Sequence, residues 1–305
     1  ARESGICRKR YAQHQSGHLT QTPHYKNHGQ YWPVSVHHYC QIHGWLTALP
    51  FRRDFKALWR RCDAATWIIR LALQCQPLIH LLRERQLAGN LINIDETRIQ
   101  VLKEEGYSAT SNKYMYVTVG GPPDQPVVRY DYDPSRGHEV PLRLLDGFEG
   151  YLQSDGYVAY DKVCGLLNLI PLGCWDHCRR KFVEAQAAQP KTQQGRTKAD
   201  ITLIKIGKLY QIEREIKDLP APHKYALRQQ QSVPVLNDLK RWLDKNLGKT
   251  PKDSLVSIAF VYMRNQWQKL VRYCEDGNLP ISNIIAENAI RPFVVGRKAW
   301  LFADT

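Results

Sequence analysis

Near residue 90 the hydrophobic period of this chain changes from helical to strand-like, and that change narrows the choice of fold more than anything else in its 305 residues. LINI (91–94) is apolar apart from Asn93. YMYVTVGG (114–121) is β-branched and aromatic and stops at paired glycines, with Pro122 and Pro123 behind them. VVRYDYD (127–133) alternates. Three strands this close together, joined by turn-rich segments such as GGPPDQP, predict an antiparallel meander. VPLRLLDGF (140–148) reads as a short helix, GYLQSD (150–155) as a fourth strand and LIPLGCW (169–175) as a fifth. A β-β-β-α-β-α series of this kind predicts an α/β fold, a mixed sheet with helices on its faces.

Helical segments flank the strands. Over 55–88, Leu58, Cys62, Ile69 and Leu73, then Leu78, Leu81 and Leu82, recur at near-helical spacing. Pro77 starts the second helix and Gly89 closes it, which predicts a packed pair. From 176 to 276 the pattern is again helical. One stripe carries Ile201, Ile204, Leu209, Ile212 and Ile216, another Leu236, Leu239, Trp242, Leu243 and Leu247, and a third segment ends at Gly277 as a C-cap. PKTQQGRTKAD (190–200) reads as an exposed loop. Residues 1–53 show neither period and hold seven of the eleven histidines. His37, His38 and His43 beside Cys40 fit no closed tetrahedral zinc site. The division expected is an irregular basic, His-rich segment (1–54), a helical pair (55–89), a catalytic core (90–185 and 277–305) and a helical insertion (186–276).

The net charge of +14 is unevenly spread. Residues 1–90 carry 13 Lys/Arg against 4 Asp/Glu, residues 91–160 carry 6 against 11, and residues 161–305 carry 24 against 14. Basic flanks attract a polyanion through salt-sensitive phosphate contacts, although solubility charge is the plainer reading of composition alone. An acidic middle repels nucleic acid unless cations neutralise it. The eight cysteines include no CxxC pair, which fits reduced, mostly buried thiols. No apolar run reaches the roughly 18 residues of a membrane span, and no signal segment opens the chain, so neither a membrane partner nor export is expected.

Within the acidic middle and the last helix lie three carboxylates of interest. Asp95 follows the apolar LINI, at or near the end of a strand. Asp155 stands in the same relation to YLQS and precedes Gly156. Glu287 falls on a helix expected from Asn283 to about Ile290, ended or bent by Pro292, with Asn283, Glu287 and Arg291 four apart on one face. Two divalent ions about 4 Å apart, held by carboxylates from different elements, are what phosphoryl transfer calls for. Magnesium selects oxygen ligands. Taken singly, the aspartates read equally well as turn or capping residues, and Asn283–Glu287–Arg291 as an exposed stripe.

From about Leu78 to Thr305 the chain resembles the transposases of the insertion-sequence sixty-six family. The resemblance rests on LLRERQLAGNLINIDETRIQVLKEEGYSATSNKYMYV, GGPPDQPVVRYDYDPSRGHEVPLRLLDGFEGYLQSDGYVAY, LGCWDHCRRKFVEAQAAQPK and LPISNIIAENAIRPFVVGRKAWLF. It implies a ribonuclease-H-like catalytic fold with a helical insertion and a metal-binding DDE triad of Asp95, Asp155 and Glu287. Two Mg²⁺ (or Mn²⁺) ions are implied, acting in strand cleavage and strand transfer on transposon ends and target DNA. Cys174-x-x-His177 is similar to the family's CxxH element; His177 then orients a carboxylate or approaches the phosphate, or is a buried structural histidine. Arg179, Arg180 and Lys181, with Arg291, Arg297 and Lys298, are similar to positions that hold DNA backbone. A homo-oligomer, accessory proteins of the element and a cytoplasmic, nucleoid-associated bacterial location are further implications.

Against that pattern the chain departs before the last helix. The family reads close to DNNRAE, and here the run is Ser282, Asn283, Ile284, Ile285, Ala286, Glu287, with Asn288 where Arg is common. Losing a carboxylate and a cation there is expected to weaken metal or DNA engagement. An inactive DNA-binding remnant and a general metal-dependent nuclease are the alternative functions.

Overall fold

The computed structural model describes residues 64–189 and 195–300. The N-terminal segment (1–54), its His/Cys cluster, Leu58, Cys62 and the first half of the 190–200 loop lie outside the described residues. A mixed five-stranded sheet organises the rest, with strand order β3-β2-β1-β4-β5. Strands β1 (Leu91–Ile99), β2 (Lys113–Gly120) and β3 (Val127–Asp133) form the expected antiparallel meander, while β4 (Tyr151–Gln153) and β5 (Ile170–Leu172) run parallel to β1. The α/β class read from the sequence is borne out.

Alternation along β1 assigns the faces. Ile92 and Ile94 are fully buried with Tyr116 and Leu152 on one side. That side is closed by α3 (Glu139–Leu144) and α4 (Val158–Leu167), which contribute Val140, Leu144, Tyr160 and Val163. Asn93 and Asp95 therefore belong to the opposite face. There Val117 and Val119 of β2 pack against Ala286 and Ile290 of the last helix, α10 (Ile284–Trp300).

Helices α1 (Ala64–Gln74) and α2 (Gln76–Leu87) form where the spacing placed them, but not as a pair buried on its leucines. Ile69, Leu73, Leu78, Leu81 and Leu82 are all exposed. What docks α2 is a polar side chain: buried Gln86 donates to the Thr118 and Val127 carbonyls at 3.0 and 3.3 Å. Gly89 is not a left-handed cap. The helix stops at Leu87, and Gly89 lets the backbone pass so close to Gly121 that a Cβ would sit 2.5 Å from its carbonyl oxygen.

The helical block is built on α5 (Trp175–Ala187), α6 (Lys198–Glu215), α7 (Ala221–Leu227), α8 (Val233–Asn246) and α9 (Leu255–Val271). Trp175, Phe182, Leu209, Leu239, Leu243 and Phe260 share its core. Phe182 and Phe260 meet edge to face at 5.3 Å. Ile204, expected inside, is exposed, and Ile206 takes the buried place, because the inward stripe runs through Thr202, Ile206, Leu209 and Ile212. Gly277 is not the C-cap of α9. That helix gives way to a 3₁₀ turn at Arg272–Cys274, and Gly277 is needed where the Ala221 carbonyl passes 1.9 Å from any Cβ.

Pro292 does not end the last helix either. A proline removes one backbone bond, but burial of Ala286, Ile290 and Phe293 carries the helix through it. The Tyr130 hydroxyl also donates to the Ala289 carbonyl at 2.6 Å.

Candidate active site

The middle of β1, the end of β4 and one helix turn set this site, and a layer of buried amides fixes their register. Asn93 of β1 is directly opposite Gln153 of β4. Asn93 Nδ2 donates to Gln153 Oε1 at 2.7 Å and to Asn283 Oδ1 at 2.9 Å. Asn283 Nδ2 in turn donates to the Ile94 carbonyl at 2.8 Å, and Gln153 Nε2 to the carbonyls of Gly173 and Pro280 at 2.9 and 3.0 Å. All three amides are at most 3% exposed. Buried polar groups demand partners, so this layer tolerates a single alignment of β1, β4 and the start of α10.

The three candidate acids lie one step further along each element. Asp95 and Asp155 are two residues past Asn93 and Gln153, Asp95 about 6–7 Å further along β1. Glu287 is four residues past Asn283, about 6 Å up the helix. Each acid thus follows an amide of the layer by two or four residues in the chain. Asp95 is inside β1 and paired with Val117, not at the strand's end as the apolar run suggests; it is the parallel pairing with β4 that stops at Asn93. Asp155 lies beyond β4 in a turn in which its Oδ1 accepts from Tyr157 N–H at 2.9 Å. Gly156 holds φ +87° there, and Tyr262 of α9 donates its hydroxyl to the Asp155 carbonyl at 2.8 Å.

The neighbouring acids act on Asp95. Burial pushes the Asp95 carboxyl up to about 7, and the charges of Glu96, Asp155 and Glu287 add to the shift, against a 2.9 Å bond from the Glu96 N–H. Glu96 is turned to the opposite face, where the hydroxyl of Tyr160 and the Arg136 guanidinium hold its carboxylate. Glu287 is approached by His177 Nδ1 and by Arg180, each at 3.6 Å. Burial, followed by the Arg180 charge, holds His177 below the usual histidine range, so Arg180 is the cation that offsets Glu287 at neutral pH. Among the described residues, the group whose ligand atoms all lie within 4.8 Å of one another is Cys174, His177 and Glu287, a set without Asp95 and Asp155. Cys174 is buried at the start of α5, where its Sγ accepts the Asn283 N–H at 3.2 Å and burial raises its thiol to about 11.

Three oxygen-bearing acids suit a hard divalent cation, and Asp95 is raised mainly by burial, with the neighbouring acids adding to it. Among the basic residues, Arg179, Arg180, Arg291 and Lys298 are exposed. Lys181 lies over the Tyr262 ring at 4.9 Å, and Arg297 donates to Thr97 Oγ1 at 3.0 Å. Sequence reasoning missed Gln153, Tyr262 and the Glu96–Arg136–Tyr160 cluster. The signal for Gln153 was present: INID and LQSD each set an amide two places before an aspartate in an apolar strand.

The family described as "Transposase IS66 family" matches residues 55–305. The chain belongs to the IS66 transposase family. Two relatives from Sinorhizobium fredii (strain NBRC 101917 / NGR234) are the uncharacterized proteins y4qI and y4hP. They are 31% identical over 253 residues and 28% identical over 244, covering 79% and 75% of this chain. The IS66-family chain spans 46% and 44% of those proteins, less than half of each. The cryo-electron microscopy structure of a simian T-cell lymphotropic virus intasome in complex with PP2A regulatory subunit B56 gamma aligns over 64% of this chain and 66% of its own, at 13% identity and a TM-score of 0.22. A likeness that slight carries no argument. Among the described residues of the IS66-family chain, no helix is long and apolar enough to cross a membrane.

Of the departures from the family's run, Ser282 is buried next to Asn283 of the amide layer, and Ile284 and Ile285 point the other way. Ile284 and Ile285 are 40% and 45% exposed, while Asn283, the residue that closes the amide layer, is kept.

Proposed function

We propose that this chain is the catalytic part of a DNA transposase that cleaves strands at insertion-sequence ends and transfers them to target DNA. The supporting observation is the amide layer, whose register sets Asp95, Asp155 and Glu287 one step beyond it on three elements. In this reading the sheet is the ribonuclease-H-like core over 90–185 and 277–305, and 186–276 is a helical insertion.

Asp95, Asp155 and Glu287 would hold Mg²⁺ or Mn²⁺, two ions in the full reading. When bound, such ions supply charge stabilisation at the attacking and leaving oxygens of an in-line displacement. The chain's own groups do the positioning. Asn283 fixes the turn that presents Glu287, and the Glu96–Arg136–Tyr160 cluster fixes the strand that presents Asp95. Arg180, which neutralises Glu287, is half-exposed and within reach of a DNA phosphate that takes the carboxylate's place as its partner. Arg179, Lys181, Arg291, Arg297 and Lys298 extend the same basic surface, and a homo-oligomer working with accessory proteins near the nucleoid completes the proposal.

The test is strand cleavage on terminal-repeat DNA with Mg²⁺ or Mn²⁺. Cleavage at the ends that disappears in Asp155→Ala, with DNA binding retained, supports the transposase. DNA binding without metal-dependent cutting identifies a remnant, and cutting without end preference a general nuclease.

A further inference from the structure

The three-carboxylate reading leaves buried Cys174 and half-buried His177, beside Glu287, without work. Cys174, His177 and Glu287 each offer a ligand atom within 4.8 Å of the others. His177 Nδ1 and Glu287 Oε1 have no hydrogen-bond partner although both atoms are shielded from solvent. They face each other at 3.6 Å. That is too long for a hydrogen bond and close to the roughly 3.4 Å between a nitrogen and an oxygen ligand on a tetrahedral zinc ion. The Asn283 N–H that donates to Cys174 Sγ is an outer partner of the kind that steadies a sulfur ligand. Thiolate and imidazole are poor donors for magnesium and good ones for zinc.

We propose that Cys174, His177 and Glu287 form a site for one thiophilic divalent cation of the Zn²⁺ class, with its fourth tetrahedral position open. On binding, the Cys174 S–H bond breaks, a sulfur–metal bond forms and the proton passes to solvent, so affinity rises with pH. The consequence for activity rests on the three-carboxylate reading: a zinc ion here claims Glu287 from Asp95 and Asp155 and holds catalysis off.

Co²⁺ titration of the metal-stripped full chain, without DNA, tests the site separately from any cleavage. The expected result is a single equivalent bound, with a sulfur-to-cobalt charge-transfer band that Zn²⁺ removes and Mg²⁺ does not. Cys174→Ser should abolish the band, and His177→Ala and Glu287→Gln should each weaken binding about tenfold or more. Asp95→Asn and Cys40→Ser should leave the band in place. Because Cys174 is buried, folding is checked by circular dichroism; if Cys174→Ser does not fold, the part-exposed His177 and Glu287 variants decide. No band at stoichiometric Co²⁺, a band that survives both of those variants, or a band lost with Cys40→Ser overturns the proposal. Failure here leaves the Asp155→Ala cleavage test untouched, and failure of that test leaves the cobalt result standing.

Discussion

Replacing Asp95 by Asn should stabilise the metal-free protein, and should do so in a pH-dependent way. The folded carboxyl is pushed from an ordinary 3.8 up to about 7 by burial and by Glu96, Asp155 and Glu287. A carboxyl raised in the folded state binds its proton more tightly there than when unfolded. Its ionisation therefore costs stability, starting as pH climbs past the unfolded value and complete above about 7. Each pH unit between the two values is worth about 1.4 kcal/mol, which sets a ceiling of about 4 kcal/mol. Partial exposure of the side chain lets water relax the charge, so about 2 kcal/mol is the working figure. Asparagine keeps the shape and can still accept the Glu96 N–H, so little else changes. Thermal or urea unfolding in EDTA at pH 5 and pH 8 reads the effect: about two thirds of it falls between the two conditions, so the variant should gain on the parent by about 3 °C. Added Mg²⁺ should then stabilise the parent and not the variant. A gap between parent and variant that stays constant or narrows as pH rises refutes the reasoning, because it would mean that neither burial nor the neighbouring acids raise Asp95 in the folded state.

Other substitutions probe the parts around it. Asn283→Ala leaves the Ile94 carbonyl and the Asn93 amide short of partners in a sealed layer; a loss of about 3 kcal/mol in urea unfolding, with faster hydrogen exchange at the start of α10, is expected. Phe182→Ala should cost about 4 kcal/mol in the same assay through a cavity against Phe260. Arg180→Ala should weaken DNA binding and lower the slope of log affinity against log salt by about one, measured by fluorescence anisotropy across a salt series.

Much of this architecture was legible in the chain because strand periods and turn residues are local signals. The meander from Leu91 to Asp133 and the helices near 198–215 and 233–246 follow from them. Errors arose where a tertiary contact outweighed a local rule. Pro292 sits within a helix because Ile290 and Phe293 are buried around it, and Gly89 and Gly277 serve close backbone approaches instead of caps. Gln86 docks α2 where leucines were expected to, since its amide finds two strand carbonyls and the leucines find none of the core. The acids of the candidate site could be named from their surroundings in sequence. Their alignment could not, because it depends on Asn93 meeting Asn283 across 190 positions of chain.

That separation has a consequence for how the protein comes into being. The ribosome delivers both aspartates long before Asn283 and Glu287 exist. A polypeptide not yet translated as far as Asn283 has no third acid and no clamp to seat one. If the proposed chemistry holds, a copy that lacks this last turn cannot nick the chromosome that encodes it, and the hazard is deferred until Glu287 has been added.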